Sequence, residues 1–328
     1  MEKANDEMML RTRFRAALLG GAIGDALGRP REGQQHLRFS PPWHVDDYQP
    51  APDYVGGPVG TITDDTQLTM VVAESLIANG QLDPEDLARR LAAWLPVGRG
   101  MDKATQRAVE RLAGGVPWDQ AGEPSAGNGA AARAAPIGLL RFRQRDLLRR
   151  EARLSAIPTQ SEPMGIAGAV AMATATAWLL TREPGHWTVD GFIGAVQAAI
   201  KGIEQEPLAE RRDPTVRTTL HDRIGKIPKL LRQPPERALS TLYNGAYVLE
   251  SLPSALYSFL RSPDDMEQVL LLAANGTVDA DSVAAMAGTL AGALGGEAAI
   301  PERLLPQLEY REDLIDLADK LHALATTE

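Results

Sequence analysis

Two segments of this chain carry glycine at helical spacing inside runs that otherwise favour helix. Gly21, Gly24 and Gly28 fall on one, and Gly288, Gly292 and Gly296 on another late in the sequence. Steps of three and four place each set on one face of its helix. A glycine inside a soluble helix costs about 0.5–1 kcal/mol relative to alanine. Close approach of a neighbouring helix is the ordinary structural reason to keep it there. The rest of the chain agrees with a helical reading. Alanine and leucine dominate and aromatics make up only 5% of the residues, which favours tightly packed helices over sheets. Alternating β-branched runs are few, and no Asn-Gly hairpin separates any of them. The expected fold is all-α, a single compact multi-helix domain.

A helix is expected over about 12–28, after a flexible N-terminal stretch of residues 1–10. Residues 33–62 are rich in Pro, Gly and Asp and read as a long loop. Thr63 is placed to cap a helix running to about Ala78, and Asp83 opens another to about Trp94. A helix near 102–113 precedes a second Gly/Pro-rich loop, 114–128. Further helices are expected over 129–149 with a break at Pro136, and over 164–181, 188–204, 239–260, 264–274, 279–296 and 312–325. Residues 205–235 are charged and punctuated by proline, with one helix near 215–232. They form the candidate lobe or insertion of a domain spanning 11–328.

Several function classes fall away. The net charge of −9 speaks against a nucleic-acid groove, leaving nucleic acid at most as a modified substrate. The chain has no cysteine, so disulfides, thiolate catalysis and cysteine-type zinc sites are excluded. The five histidines form no pair at metal-ligand helical spacing. Neither a Gly-x-Ser-x-Gly elbow nor a Walker loop is present. No apolar run reaches about 18 residues without polar interruption, so no membrane helix is expected. The acidic start does not resemble a signal peptide, and a cytoplasmic monomer is the expectation.

Two acidic clusters, more than two hundred residues apart, carry the chemistry. Thr63-Asp64-Asp65-Thr66 and Asp279-Ala280-Asp281-Ser282 each put two carboxylates and a hydroxyl into one helical turn, at an expected helix start. Carboxylates so close resist burial unless something positive sits between them. Hard oxygen ligands at this density suit Mg²⁺, Mn²⁺ or Ca²⁺. Taken singly, each cluster reads as an acid-rich helix cap. Gly127-Asn128-Gly129, ahead of a helix, can offer backbone N–H groups to a phosphate, or can be a plain turn. Asp25, within the apolar run ending at Gly28, reads first as a satisfied structural acid. Glu32 alone would be an ordinary loop residue.

Together these segments resemble the ADP-ribosylglycohydrolase family. The matching stretches are Gly20-Gly21-Ala22-Ile23-Gly24-Asp25-Ala26-Leu27-Gly28 with Glu32, Gly60 to Thr66, Gly127 to Pro136, and Asp279 to Gly292. Four motifs in order, spanning almost the whole chain, are specific where each alone is weak. The resemblance implies an all-α fold with a metal site at converging helix N-termini. It implies two divalent cations, Mg²⁺ or Mn²⁺, and hydrolysis of the bond joining ADP-ribose C1″ to an acceptor, often a protein side chain. Thr63, Asp64 and Asp65 would hold the metals from one side, and Asp279, Asp281 and Ser282 from the other. Glu32 would be general base or gate, acting with the metal-site acids Asp64 and Asp281. Gly127, Asn128 and Gly129 would meet the ribose and diphosphate.

Two positions depart from the family pattern. Ser282 stands where threonine is usual, which keeps the ligating oxygen. Gln160, in Thr159-Gln160-Ser161, stands where a histidine usually lies beside the substrate ribose. Glutamine can hydrogen-bond but cannot shuttle a proton. Two other readings exist. One is a non-catalytic ADP-ribose reader or immunity-type binding protein. The other is a Mg²⁺-dependent prenyl-diphosphate enzyme, against which stand the absence of a third Asp at Leu68 and the scarcity of aromatics.

Overall fold

The computed structural model describes residues 2–32, 44–50, 57–205 and 218–327. In chain order its helices are α1 (Glu2–Gly28), α2 (Asp64–Asn79), α3 (Pro84–Trp94), α4 (Lys103–Ala113), α5 (Trp118–Ala121), α6 (Gly129–Ala132), α7 (Ala135–Leu140), α8 (Arg145–Ala156) and α9 (Pro163–Leu180). They continue with α10 (Val189–Ile200), α11 (Leu220–Ile224), α12 (Ile227–Leu230), α13 (Pro235–Leu242), α14 (Val248–Arg261), α15 (Met266–Gly276), α16 (Ala280–Gly295) and α17 (Arg311–Thr327). Among the described residues there is no β-strand, only isolated bridges between Glu123 and Gln160 and between Gly127 and Tyr247. The single all-α domain is as the sequence implies.

The glycine stripes explain the central packing. A Cβ on Gly20 would fall within 3.0 Å of the Gly288 carbonyl, on Gly24 within that distance of Ala284, and on Gly28 of Ala280. From the other side, Gly292 abuts Ala16 and Gly288 abuts Gly20. Each step of four forward along α1 matches a step of four back along α16. The two helices are therefore antiparallel and nearly in backbone contact, as small residues at i, i+4 allow. The consequence for function is direct: the C-terminal end of α1 meets the N-terminal end of α16. The contact face uses Gly20 where the sequence pointed to Gly21, whose added Cβ would instead meet the Thr289 hydroxyl. Gly296 lies beyond the helix, as its cap, with φ +69°.

Helix α9 runs through the core, apolar on nearly every side, and packs on α6, α7, α8, α10 and α16. Its 18 residues are long and apolar enough, by length and composition, to cross a membrane, and 89% of them are buried inside the fold. This corrects the expectation that no run reaches that length. Thr174 and Thr176 are too few and too mild to interrupt it, and Thr176 donates back to the Met172 carbonyl at 3.0 Å.

Other boundaries also differ. Helix α1 starts at Glu2 instead of near Thr12, because residues 2–10 contain no glycine or proline and Arg11 and Arg15 tie α1 to Asp319 on α17 at 2.7–2.8 Å. The segment expected as one helix over 239–260 is two, parted where Tyr243 and Asn244 turn left-handed at φ 68° and 51°. The 129–149 segment is three short helices. Of the proposed lobe, residues 206–217 lie outside the described residues. Its helices α11 and α12 bury Leu220, Ile224 and Ile227 completely and pack against α14.

Candidate functional site

The site is assembled around Asp25, one turn before the end of α1 and fully buried. Its carboxylate accepts hydrogen bonds from the Thr63 amide (3.0 Å), the Thr63 hydroxyl (2.8 Å), the Thr66 amide (3.1 Å) and the Thr66 hydroxyl (2.6 Å). Four donors fill the acceptor sites of one carboxylate. Asp25 thus holds the first turn of α2 from outside, while Thr63 caps it by accepting from the Asp65 amide at 3.4 Å. The satisfied structural acid read from the sequence is present, and it orients the first acidic cluster.

The two clusters meet. The Ser282 hydroxyl donates to the Asp65 carboxylate at 2.8 Å, across 217 residues of sequence. Carboxylate oxygens of Asp25, Asp65 and Asp281 lie within 4.8 Å of one another, and so do those of Glu32, Asp279 and Asp281. Asp281 belongs to both groups and joins them. Asp64 lies outside both tight groups. Its amide donates to the Arg99 carbonyl at 2.8 Å and its carboxylate faces the Gly100 backbone. Thr63 is buried with its hydroxyl given to Asp25.

No basic side chain among the described residues forms an ion pair with Asp25, Asp64, Asp65, Asp279 or Asp281. Burial, the largest effect, holds Asp65 and Asp281 well above the ordinary carboxylate range, and their acidic neighbours push in the same direction. Asp64 is raised likewise by burial and by the charges of Asp25 and Asp102. Burial pushes Asp279 up to about 6, against hydrogen bonds from Asn128 and Ser282. A divalent cation would reverse this imbalance. The donors are all hard oxygens, so the residues present fit Mg²⁺ or Mn²⁺ and offer nothing to a soft ion.

One wall of the cleft is the Gly127–Gly129 loop. Val248 donates to the Ala126 carbonyl at 2.9 Å and Asn128 to that of Ala246 at 3.2 Å, which ties the loop to the start of α14. The Asn128 side-chain amide donates to Asp279, so this loop also touches the acidic group. Gln160 stands beside both glycines: its Nε2 would lie 3.2 Å from a Cβ on Gly129 and 3.5 Å from one on Gly127, where the Ser125 hydroxyl is slightly nearer. Gln160 is fully buried. Its Oε1 accepts from the Thr159 hydroxyl at 3.2 Å, and its Nε2 has no hydrogen-bond partner among the described residues. A buried donor without a partner, aimed at a glycine-lined cleft, is a place for a ligand oxygen.

Three residues escaped the sequence reading. Asp102 caps α4 by accepting from the amides of Ala104 and Thr105 at 2.7 and 3.2 Å, and its charge acts on Asp64 and Asp279. Its cap position was legible, its neighbours were not. Arg133 is completely buried behind the cleft and donates to the Ser155 carbonyl at 2.8 Å and the Thr159 hydroxyl at 2.6 Å. Burial pushes it down to about 10, opposed by the charges of Asp102 and Asp64. Asn244 takes the left-handed turn that splits α13 from α14. Its carbonyl accepts from Val278 at 3.1 Å and Asp279 at 3.5 Å, which sets the entry to α16. The Asn244-Gly245 pair was its available signal.

Comparisons with known proteins bear on the family and the fold. The model of the family described as ADP-ribosylglycohydrolase matches residues 6–328. An uncharacterized protein of Archaeoglobus fulgidus is 35% identical, over 95% of this chain and 96% of its own. ADP-ribosylhydrolase ARH3 of Mus musculus is 28% identical, over 95% and 91%. A solved structure titled ADP-ribosylglycohydrolase-related protein complex superposes with a TM-score of 0.70 at 31% identity, covering 97% of this chain and 99% of that one.

Proposed function

The chain belongs to the ADP-ribosylglycohydrolase family, and we propose from that premise that it is a divalent-cation-dependent hydrolase that splits ADP-ribose C1″ from an acceptor, a modified protein side chain being the favoured class. The observation that carries this reading is the pair of carboxylate groups sharing Asp281, beside a cleft with an unpartnered Gln160 amide. Thr63, Asp64, Asp65, Asp279, Asp281 and Ser282 would hold two cations. When bound, such ions supply Lewis-acid charge, grip ribose hydroxyls and lower the pKa of a water.

The chain's own residues do the rest. Glu32 has a carboxylate oxygen within 4.8 Å of Asp279 and Asp281, and is placed to take a proton from the attacking water. The water oxygen bonds to C1″, the C1″–acceptor bond breaks, and the acceptor leaves with a proton. Asn128, held by Asp279, fixes the loop whose glycines leave room for the diphosphate. Gln160 donates from Nε2 to a ribose or phosphate oxygen, and as an amide it contributes no proton transfer.

Release of free ADP-ribose from a panel of ADP-ribosylated proteins tests the reading. Release with Mg²⁺ or Mn²⁺ that stops with chelator or with Asp281→Ala is expected. Tight binding of ADP-ribose without release from any acceptor would make the protein a reader. Release that survives both chelator and Asp281→Ala would remove the metal from the account.

A further inference from the structure

A second constellation lies away from the acidic cleft, at the far end of α9. Residues 141–153 read Arg-Phe-Arg-Gln-Arg-Asp-Leu-Leu-Arg-Arg-Glu-Ala-Arg, with six arginines against two acids in a chain of net charge −9. The fold buries one of these arginines in an internal pair, Arg141 with Glu151 at 3.0 Å. It turns three others, Arg143, Arg145 and Arg149, into a cavity of about 510 Å³ between α8, α9 and α10, where Arg182 joins them from beyond α9. A volume of that size suits a small molecule.

Two of these arginines are pre-oriented. The Arg143 guanidinium lies 4.6 Å from the centre of the Phe142 ring, and that of Arg182 lies 4.5 Å from the centre of Trp178. Both rings line the same cavity. A guanidinium held over a ring face has part of its freedom already removed and loses less on gripping an oxyanion. None of the four forms an ion pair among the described residues. Among the described residues, the Arg149 side chain donates to the Lys201 carbonyl and that of Arg182 to the Thr181 carbonyl, both at 3.1 Å. Among the described residues, Asp146 is the one acid lining the cavity, and it pairs with none of them. A smaller adjoining cavity of about 370 Å³ shares Phe142, Arg143 and Arg182 and adds the buried Arg13, along with Asp6 and Glu183 at its edge. Arg13 has a structural duty, since it donates to the Arg182 carbonyl at 2.6 Å. Among the other four, Arg149 has a bond of the same kind, its 3.1 Å donation to the Lys201 carbonyl, and Arg143 and Arg145 have none among the described residues.

The geometry points to a second ligand site in this arginine-lined cavity, taking a small di- or polyphosphate. Several guanidinium forks around an apolar floor match adjacent phosphates better than a single monoanion. The site is separate from the acidic cleft. Gln160 stands just before the start of α9, and the cavity is reached only at Thr174 and beyond, toward the far end of a helix about 27 Å long.

Calorimetry with inorganic pyrophosphate and, separately, ADP tests this on the full chain. Pyrophosphate binding that weakens at least tenfold in the pair Arg143→Gln and Arg145→Gln, and is unmoved by Asn128→Ala in the acidic cleft, is the expected result. Both arginines are exposed, and an unchanged melting temperature will show that the variant folds. Should it not fold, the single Arg145→Gln is expected to weaken binding severalfold. ADP binding with the same arginine dependence would assign a nucleotide, and pyrophosphate alone an inorganic or otherwise unrecognised phosphate. Loss of binding in Asn128→Ala, full binding in the arginine variants, or binding seen only with a single-stranded oligonucleotide overturns the proposal.

Discussion

At the scale of single residues, the site divides into acids that would meet a cation and an acid that holds them. Asp25 has every acceptor position taken by Thr63 and Thr66, so its charge organises the first turn of α2. Hydrogen bonds to a charged group contribute about 1.5–3 kcal/mol. Asp25→Asn is therefore expected to cost about that much stability in urea unfolding, and to weaken Mn²⁺ binding, because Asp65 loses its register. An Asp25→Asn protein of unchanged stability and metal affinity would show that Thr63 and Thr66 hold the turn unaided. Glu32→Gln is expected to lower kcat by about 10²–10⁴ with metal affinity nearly intact. Loss of metal in that variant would make Glu32 a ligand, a role open to it from its place beside Asp279 and Asp281. Gln160→Ala removes the unpartnered donor and is expected to weaken ADP-ribose binding about tenfold, or about 1.4 kcal/mol. Full affinity in calorimetry would place the substrate elsewhere.

At the scale of elements, the α1–α16 contact decides whether the clusters can meet at all. Gly24→Ala or Gly292→Ala drives a methyl into a facing carbonyl and is expected to cost about 1–3 kcal/mol. Gly194, exposed in the interior of α10 with no atom near an added Cβ, makes the internal comparison. Gly194→Ala is expected to stabilise the protein by about 0.5–1 kcal/mol, the helix preference alone. Similar effects at both places would mean that α1 and α16 are not in close contact. The other clamp on α1 is Asp319, whose hydrogen bonds to Arg11 and Arg15 hold its carboxyl well below its ordinary value of 3.8. A depressed acid stabilises above its unfolded pKa and loses that contribution as pH falls through the folded one. The gap in melting temperature between the parent and Asp319→Asn is thus expected to be full above about pH 5 and to shrink steadily as pH falls below the ordinary carboxylate value toward the depressed one. A constant gap would assign the loss to packing.

For the molecule as a whole, the parts legible in the sequence were those encoded locally. Thr63, Asp83 and Asp102 sit where helices start, and the Asp-rich turns announce themselves as hard-oxygen donors. Gly24, Gly28, Gly288 and Gly292 showed that two helices pack closely but not that they pack on each other. That information lives in the pairing of Gly20 with Gly288 and Gly24 with Ala284, a relation between distant segments that no window contains. For the same reason Arg133, Asn244 and the charge of Asp102 on Asp64 were invisible, since each acts through a neighbour far away in sequence. The long helix expected over 239–260 failed because hydrophobic periodicity outweighed a Tyr-Asn-Gly turn signal whose φ values are 68° and 51° at its first two residues. The central claim is that the distant segments carrying Asp65 and Asp279–Asp281 fold together to hold divalent cations, with Glu32 and Asn128 beside them. Anomalous diffraction from a crystal equilibrated with Mn²⁺ tests it most directly. The account predicts two peaks in the cleft, within coordination distance of carboxylates among Asp65, Asp279 and Asp281. Peaks confined to the protein surface, with the carboxylates of Asp65, Asp279 and Asp281 hydrogen-bonded only to protein and water, would contradict it.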